Sequence, residues 1–161
     1  GDVYKRQIYE IINDAAKAYR GVIPEELLRD PYMSKNELLR EIRDGVLFWG
    51  DERGGSVHGV MGLQEKDDVT LIRHAYVRTK FQKRGVGTNL LGHLELVAQT
   101  PILVGTWANA AWAISFYEKR GYKLVSEKKK DILLRTYWSI SDVQGQSSVV
   151  LAQNTWIEAD A

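Results

Sequence analysis

Apolar residues recur at helical spacing through Ile8, Ile11, Ile12, Ala15, Ala16 and Tyr19, which predicts an amphipathic helix over residues 8–20. Gly21 stands where a left-handed cap would end it. Pro24 opens a short helical turn that closes at Leu28, and Asp30-Pro31 breaks it. Ser34 and Glu37 have capping-box spacing ahead of Leu38, Leu39 and Ile42, so a second helix runs up to Gly45. Residues 46–50 and 56–64 read as strands joined through Arg53-Gly54-Gly55, a hairpin. A longer strand covers 69–77, and Val86, Leu90, Leu91, Leu94 and Val97 give the next helix a buried stripe. Beyond it come a short buried strand at 101–108, a helix at 109–120 and a strand at 123–126. Residues 127–138 read as an added helix with the solvated start Lys128-Lys129-Lys130, and 139–146 as a polar loop. A closing strand at 147–153 has its natural place antiparallel to 122–126. A helical front, antiparallel strands and then β-α-β-α-β define an α/β chain: a mixed sheet with helices on both faces.

The chemistry concentrates where the long strand meets a helix. Residues 77–91 read V-R-T-K-F-Q-K-R-G-V-G-T-N-L-L. Gly85 and Gly87 carry no Cβ, so neighbouring amides can approach an anion closely. Those amides lack intrahelical partners, and a helix start carries roughly +0.5 of a charge. A pyrophosphate suits such a place, and Lys83 and Arg84 add full charges to it. A Walker loop would need a lysine between Gly87 and Thr88. A dinucleotide fingerprint would need glycine where Leu90 stands.

The pattern Gln82-x-x-Gly85-x-Gly87 instead resembles the acetyl-coenzyme A loop of the GNAT superfamily of N-acetyltransferases. The tract Ala113-x-x-Phe116-Tyr117-x-x-x-Gly121-Tyr122 is similar to that family's second motif, in the right order and spacing. The resemblance implies a GNAT-like (acyl-CoA N-acyltransferase) fold: a mixed, mostly antiparallel sheet whose central parallel strands splay apart. It implies acetyl-CoA as co-substrate and direct attack by an amine acceptor, small molecule or protein, in a ternary complex. The diphosphate would rest on Lys83, Arg84, Gly85, Val86, Gly87 and Thr88, with Gln82 capping the loop. The pantetheine arm would follow the open edge at Ala75, Tyr76 and Val77, where a backbone amide would face the thioester oxygen. Tyr117 takes the place of the proton donor. A tyrosine of pKa near ~10 stays protonated at neutral pH and can protonate a thiolate of pKa about 8.5.

Two positions depart from the motif. Ala110 stands where the family has an asparagine for the pantetheine arm, and Asn109 comes one residue early. Gly105 stands where some members carry a glutamate base, so no base transfers; His74, Glu65, Asp68 and a water chain all remain open. Trp107, at the splay point, is the tryptophan best placed to wall an acceptor pocket. Glu25, Glu26 and Asp30 could furnish an acidic acceptor groove suited to a polyamine or aminoglycoside. His58 and His93 have no metal-ligand company and read as structural, so no metal is expected. These departures leave a second class open: a silent module that senses acetyl-CoA.

Composition adds exclusions. With no cysteine, a disulfide framework, thiolate metal site or cysteine nucleophile is ruled out. A net charge of +1 gives no global field for nucleic acid or an anionic membrane. No apolar run approaches the roughly 18 residues of a span, and a cytoplasmic location is the default expectation. A homodimer is compatible with the family. One domain is expected over 8–153, with a C-terminal tail at 154–161. Residues 1–7 show no apolar periodicity and resemble a translated sequencing adapter, so they are expected to be a non-native tail; the family's usual first strand is not seen before Ile8.

Overall fold

The computed structural model describes residues 2–156. Its first helix, α1, spans Asp2–Ala15 and tightens into a 3-10 turn at Ala16–Tyr19. The helix therefore starts ahead of the expected Ile8. Tyr4 extends the stripe of Ile8, Ile11 and Ile12 by one turn, packs with them, and bonds the Gly50 backbone through its hydroxyl. Gly21 is left-handed at φ 75°, as a cap requires. Helix α2, Lys35–Arg43, is capped by Ser34, whose hydroxyl accepts from the Glu37 N–H at 3.1 Å.

Strands β1, Leu47–Arg53, and β2, Ser56–Glu65, form a hairpin closed by Gly54 and Gly55. Both glycines have positive φ, 60° and 80°, which a two-residue turn matched to strand twist demands. Strand β3, Thr70–Val77, leads into α3, Val86–Val97; β4, Ile102–Trp107, leads into α4, Ala111–Glu118. The chain closes with β5, Lys123–Leu124, α5, Glu127–Tyr137, α6, Asp142–Gln146, and β6, Ser148–Ala152. Two expectations change here. The stretch 139–146 holds α6 rather than only a loop, because Ser141 accepts from the Gln144 N–H at 3.2 Å and caps a short turn. The lysine run is not wholly solvated: Lys130 is buried, its Nζ 2.9 Å from Glu127. At the chain's end, Trp156 packs under α5, and 157–161 of the expected tail lie outside the described residues.

The sheet order is β1-β2-β3-β4-β6-β5, with β3 and β4 its parallel pair. Strand β6 pairs with β4 as well as β5, sliding between them rather than lying only beside 122–126. Helices α3 and α4 cover one face over Ile72, Val104 and Leu151. The other face carries α1 and α2 over Val57 and Val60, and α5 over Leu71, Leu103 and Val150.

The feature that makes the site lies in β3. Arg73 pairs with Gly62 and Tyr76 with Val60, so Met61 faces two residues, His74 and Ala75. This is a bulge, with His74 in the left-handed region at φ 59°. Gly62 is needed opposite, since a Cβ there would come within 2.6 Å of the Arg73 carbonyl. A bulge bends its strand. Accordingly β3 pairs with β4 only at Thr70–Ile72 and then departs from it.

Candidate active site

The loop after β3 is pinned before it turns. The Thr79 N–H donates to Asp14 of α1 at 2.8 Å, and the Arg78 guanidinium donates to the Val57 carbonyl at 3.0 Å. Lys83 and Gly85 then take positive φ, 65° and 78°, and Gly85 becomes the N-cap of α3. The first amides of α3, from Val86 to Thr88, have no acceptor of their own within the helix. A Cβ on Gly85 would meet nothing within 4 Å, so the loop is open at that point. Two glycines let α3 sit close to its neighbours. A Cβ on Gly59 would lie 2.6 Å from Val86 Cγ1, and one on Gly87 would lie 3.3 Å from the Phe116 ring.

Arg120 completes this end. Its guanidinium lies over the Phe116 ring at 4.0 Å, donates to the Phe116 carbonyl at 2.9 Å and bonds the Thr88 hydroxyl, while its buried Nε has no partner. The sequence reading placed Arg120 in the second motif without a binding role; only the folded crossing of α4 over α3 brings it to the loop. Lys83 and Gln82 line the cleft, whereas Arg84 is turned away, over Phe81, with its carbonyl accepting from Arg53 at 3.3 Å.

From this loop a cleft of about 630 Å³ runs along the splay. Ala75, Tyr76 and Val77 form one wall; Gly105, Thr106 and Trp107 form the other. Tyr117 opens onto it from α4, packed edge-on against Tyr122 with ring centres 5.6 Å apart. Burial, with a smaller contribution from the Tyr19 phenol, pushes the Tyr117 pKa well above its ordinary value. The phenol is therefore neutral throughout the neutral range.

Beyond Tyr117 the cleft is aromatic. Tyr19 is the hub, with ring centres 5.4 Å from Tyr32, 6.3 Å from Tyr76 and 6.2 Å from Trp107, and it stacks with Trp112 at 6.1 Å. Trp107 Nε1 donates to the Tyr32 hydroxyl at 3.1 Å. Burial raises the pKa of Tyr19, Tyr32 and Tyr76, so these walls carry hydroxyls and no charge. Trp107 lies where the splay point was expected, but Tyr19 read as helix stripe and Tyr32 drew no notice. Their only sequence signal was aromatic residues beside loop-forming glycine and proline.

The side chains that could act as a base lie in different surroundings. His74 lines the cleft with its Nε2 set against the Glu41 carboxylate from α2. Burial opposes ionisation of Glu41, but the His74 bond and the charges of His74 and Arg73 outweigh it and lower its pKa. Asp68 accepts from the Tyr137 hydroxyl at 2.7 Å, and neither Asp68 nor Glu65 lines the cleft. Gly105 is roofed by Trp138; a Cβ would lie 3.3 Å from its ring, so any side chain there would crowd the indole. Asn109 stays outside the lining and donates to the Val22 carbonyl at 3.4 Å. Glu25, Glu26 and Asp30 are exposed and away from the cleft, so they form no acidic groove. His58 stacks on Phe81 with ring centres 3.5 Å apart, and His93 packs against Trp49.

The sequence profile of the acetyltransferase (GNAT) family matches residues 6–122. The chain belongs to the GNAT acetyltransferase family. Members of the GNAT family transfer acetyl groups from an acyl-CoA to amine acceptors. Among solved structures, the PaiA N-acetyltransferase from Thermoplasma acidophilum, in complex with coenzyme A, is 18% identical, with a TM-score of 0.69 over 92% of this chain and 91% of that one. The ribosomal-protein-S18-alanine N-acetyltransferase from Escherichia coli is 17% identical, with a TM-score of 0.67 over 97% and 90%. A GNAT acetyltransferase from Elizabethkingia anophelis, with acetyl-CoA bound, is 21% identical, with a TM-score of 0.57 over 81% and 90%. At these identities the likeness is one of fold. No curated protein matches the sequence. No described helix is long and apolar enough to cross a membrane.

Proposed function

We propose that this GNAT protein moves the acetyl group of acetyl-CoA onto an amine by direct attack in a ternary complex, with Tyr117 as the general acid. One observation carries the reading: a buried, neutral Tyr117 opens onto the same cleft as the left-handed Gly85 loop and the unpaired edge of β3. The loop fits a diphosphate. Its amides are free, Gly85 leaves its mouth clear, and Lys83 and the unpartnered Nε of Arg120 add charge. The β3 edge from Arg73 to Val77 has lost its β4 partner and can pair with an amide-bearing arm.

When bound, acetyl-CoA supplies an acyl group activated by a thiol leaving group. Tyr117 holds a proton at Oη and delivers it to the departing sulfur, a role worth roughly 10²–10⁴-fold. An unpaired amide of the β3 edge would hydrogen-bond the thioester oxygen as it gains charge. No aspartate or glutamate among the described residues lines the cleft, so the amine would shed its proton to solvent rather than to a positioned carboxylate. Tyr117→Phe tests the assignment by mass spectrometry of acetylated amine. Turnover should collapse while coenzyme A affinity holds; full turnover in the variant would refute it.

A silent acetyl-CoA sensor is the second reading. It draws support from Gly105, which carries no side chain where some members use a base and is crowded there by Trp138. A protein that binds coenzyme A yet acetylates nothing in an amine panel would establish it.

A further inference from the structure

The acceptor end of the cleft differs in kind from the coenzyme end. Five rings, those of Tyr19, Tyr32, Tyr76, Trp107 and Trp112, enclose it, and Tyr117 lines the same cleft. Four are held rigidly, by mutual packing and by the Trp107–Tyr32 hydrogen bond. Trp112 is 50% exposed and stacks on Tyr19 at the mouth, with an interplanar angle of 27°. It offers a second flat face to whatever enters.

Charge narrows the choice further. Among the described residues lining the cleft there is no aspartate or glutamate. The nearby cation Arg73 is satisfied by Glu41 at 2.9 Å and by Gln64 at 3.1 Å, so it is not free to hold an acceptor carboxylate. A polyamine would bring further ammonium groups into walls without a counter-ion. Ring faces can stabilise one cationic amine, and apolar surface beside them rewards a flat hydrophobic body.

We infer that the acceptor is a primary monoamine carried on a compact aromatic or apolar body, with the body held between Trp112 and the Tyr19–Tyr32–Tyr76 cluster. This rests on the acetyl-transfer reading above and names the substrate class of that site. The probes are 2-phenylethylamine, spermidine and kanamycin, tested on the full chain with acetyl-CoA for turnover and with coenzyme A for binding by calorimetry. The expected result is a kcat/KM for 2-phenylethylamine at least 100-fold above that for spermidine or kanamycin. Trp112→Ala should raise its KM and its Kd at least tenfold, leaving coenzyme A affinity unchanged.

The two levels fail separately. If coenzyme A binds and spermidine or kanamycin is the better acceptor, the inferred class is wrong and acetyl transfer stands. If 2-phenylethylamine does not bind while coenzyme A does, the class is wrong again. If it binds, weakens with Trp112→Ala and is never acetylated, the aromatic site is correct and the transfer reading fails.

Discussion

Gly59→Ala puts the packing behind the phosphate loop to a quantitative test. The added methyl would lie 2.6 Å from Val86 Cγ1 and 3.0 Å from the Tyr76 carbonyl. Ordinary carbon contacts sit at about 3.5–4.0 Å, so Val86 must retreat by about 1 Å. Tyr76 cannot give way easily, because it is paired with Val60 in the sheet. Overpacking of this kind costs about 1–3 kcal/mol of stability. The functional cost follows from where Val86 stands, at the first turn of α3, whose amides would hold the diphosphate. A hydrogen bond near 2.9 Å does not survive a shift of about 1 Å, and a bond to a charged group is worth about 1.5–3 kcal/mol. Coenzyme A affinity should therefore fall roughly 10- to 100-fold. Gly92→Ala on the same helix is the control: its methyl would meet nothing within 4 Å. That variant should gain about 0.5–1 kcal/mol from helix propensity and bind normally. Calorimetric titration with coenzyme A, alongside melting curves, reads both. Wild-type affinity in Gly59→Ala would refute the claim that this contact seats the loop.

Three further outcomes are expected. Tyr117→Phe should lower kcat by about 10²–10⁴-fold, and the wild-type rate should show no alkaline fall below about pH 10, because the raised pKa keeps the phenol protonated there; a wild-type fall near pH 8 would contradict it. Arg120→Gln should weaken coenzyme A binding about tenfold and flatten its salt dependence, since a cation beside the loop is lost; an unchanged salt slope would remove Arg120 from the site. Glu41 has a depressed folded pKa, so its contribution is present above the unfolded carboxyl value near ~4.3 and disappears as pH falls through the folded one. Glu41→Gln should accordingly lower Tm at pH 7 and reduce its further loss between pH 5 and pH 3; an unaltered acid limb in scanning calorimetry would overturn the sign.

What was legible in the sequence was local. The glycine spacing of 85 and 87, the capping serine at 34 and the paired glycines at 54 and 55 each act within a few residues, and each forms the feature its spacing implies. The misplaced features depend on partners far away in sequence. Tyr4 joins the helix because Gly50 is there to meet it, and β6 slips between β4 and β5 along the β4 edge opposite β3. Arg120 and Thr88 meet only through the crossing of two helices. Asn109 stands one residue ahead of the motif position, and its amide is taken by Val22 from a loop that no motif describes.

The bulge in β3 shows most clearly why periodicity could not reach the acceptor site. Counting by twos along the strand from Ile72, which faces α3 and α4, would send Tyr76 to that same face. The extra residue at His74 reverses the alternation: Ile72, Ala75 and Val77 share one face, while Arg73 and Tyr76 share the other. That reversal delivers the Tyr76 ring to Tyr19 and Tyr32, and the same bend removes β4 from the edge that a pantetheine arm would use. His74 occupies a backbone region that disfavours side chains, and Glu41 is positioned to hold it there. A histidine on the cleft wall is thus also the keystone of the bulge.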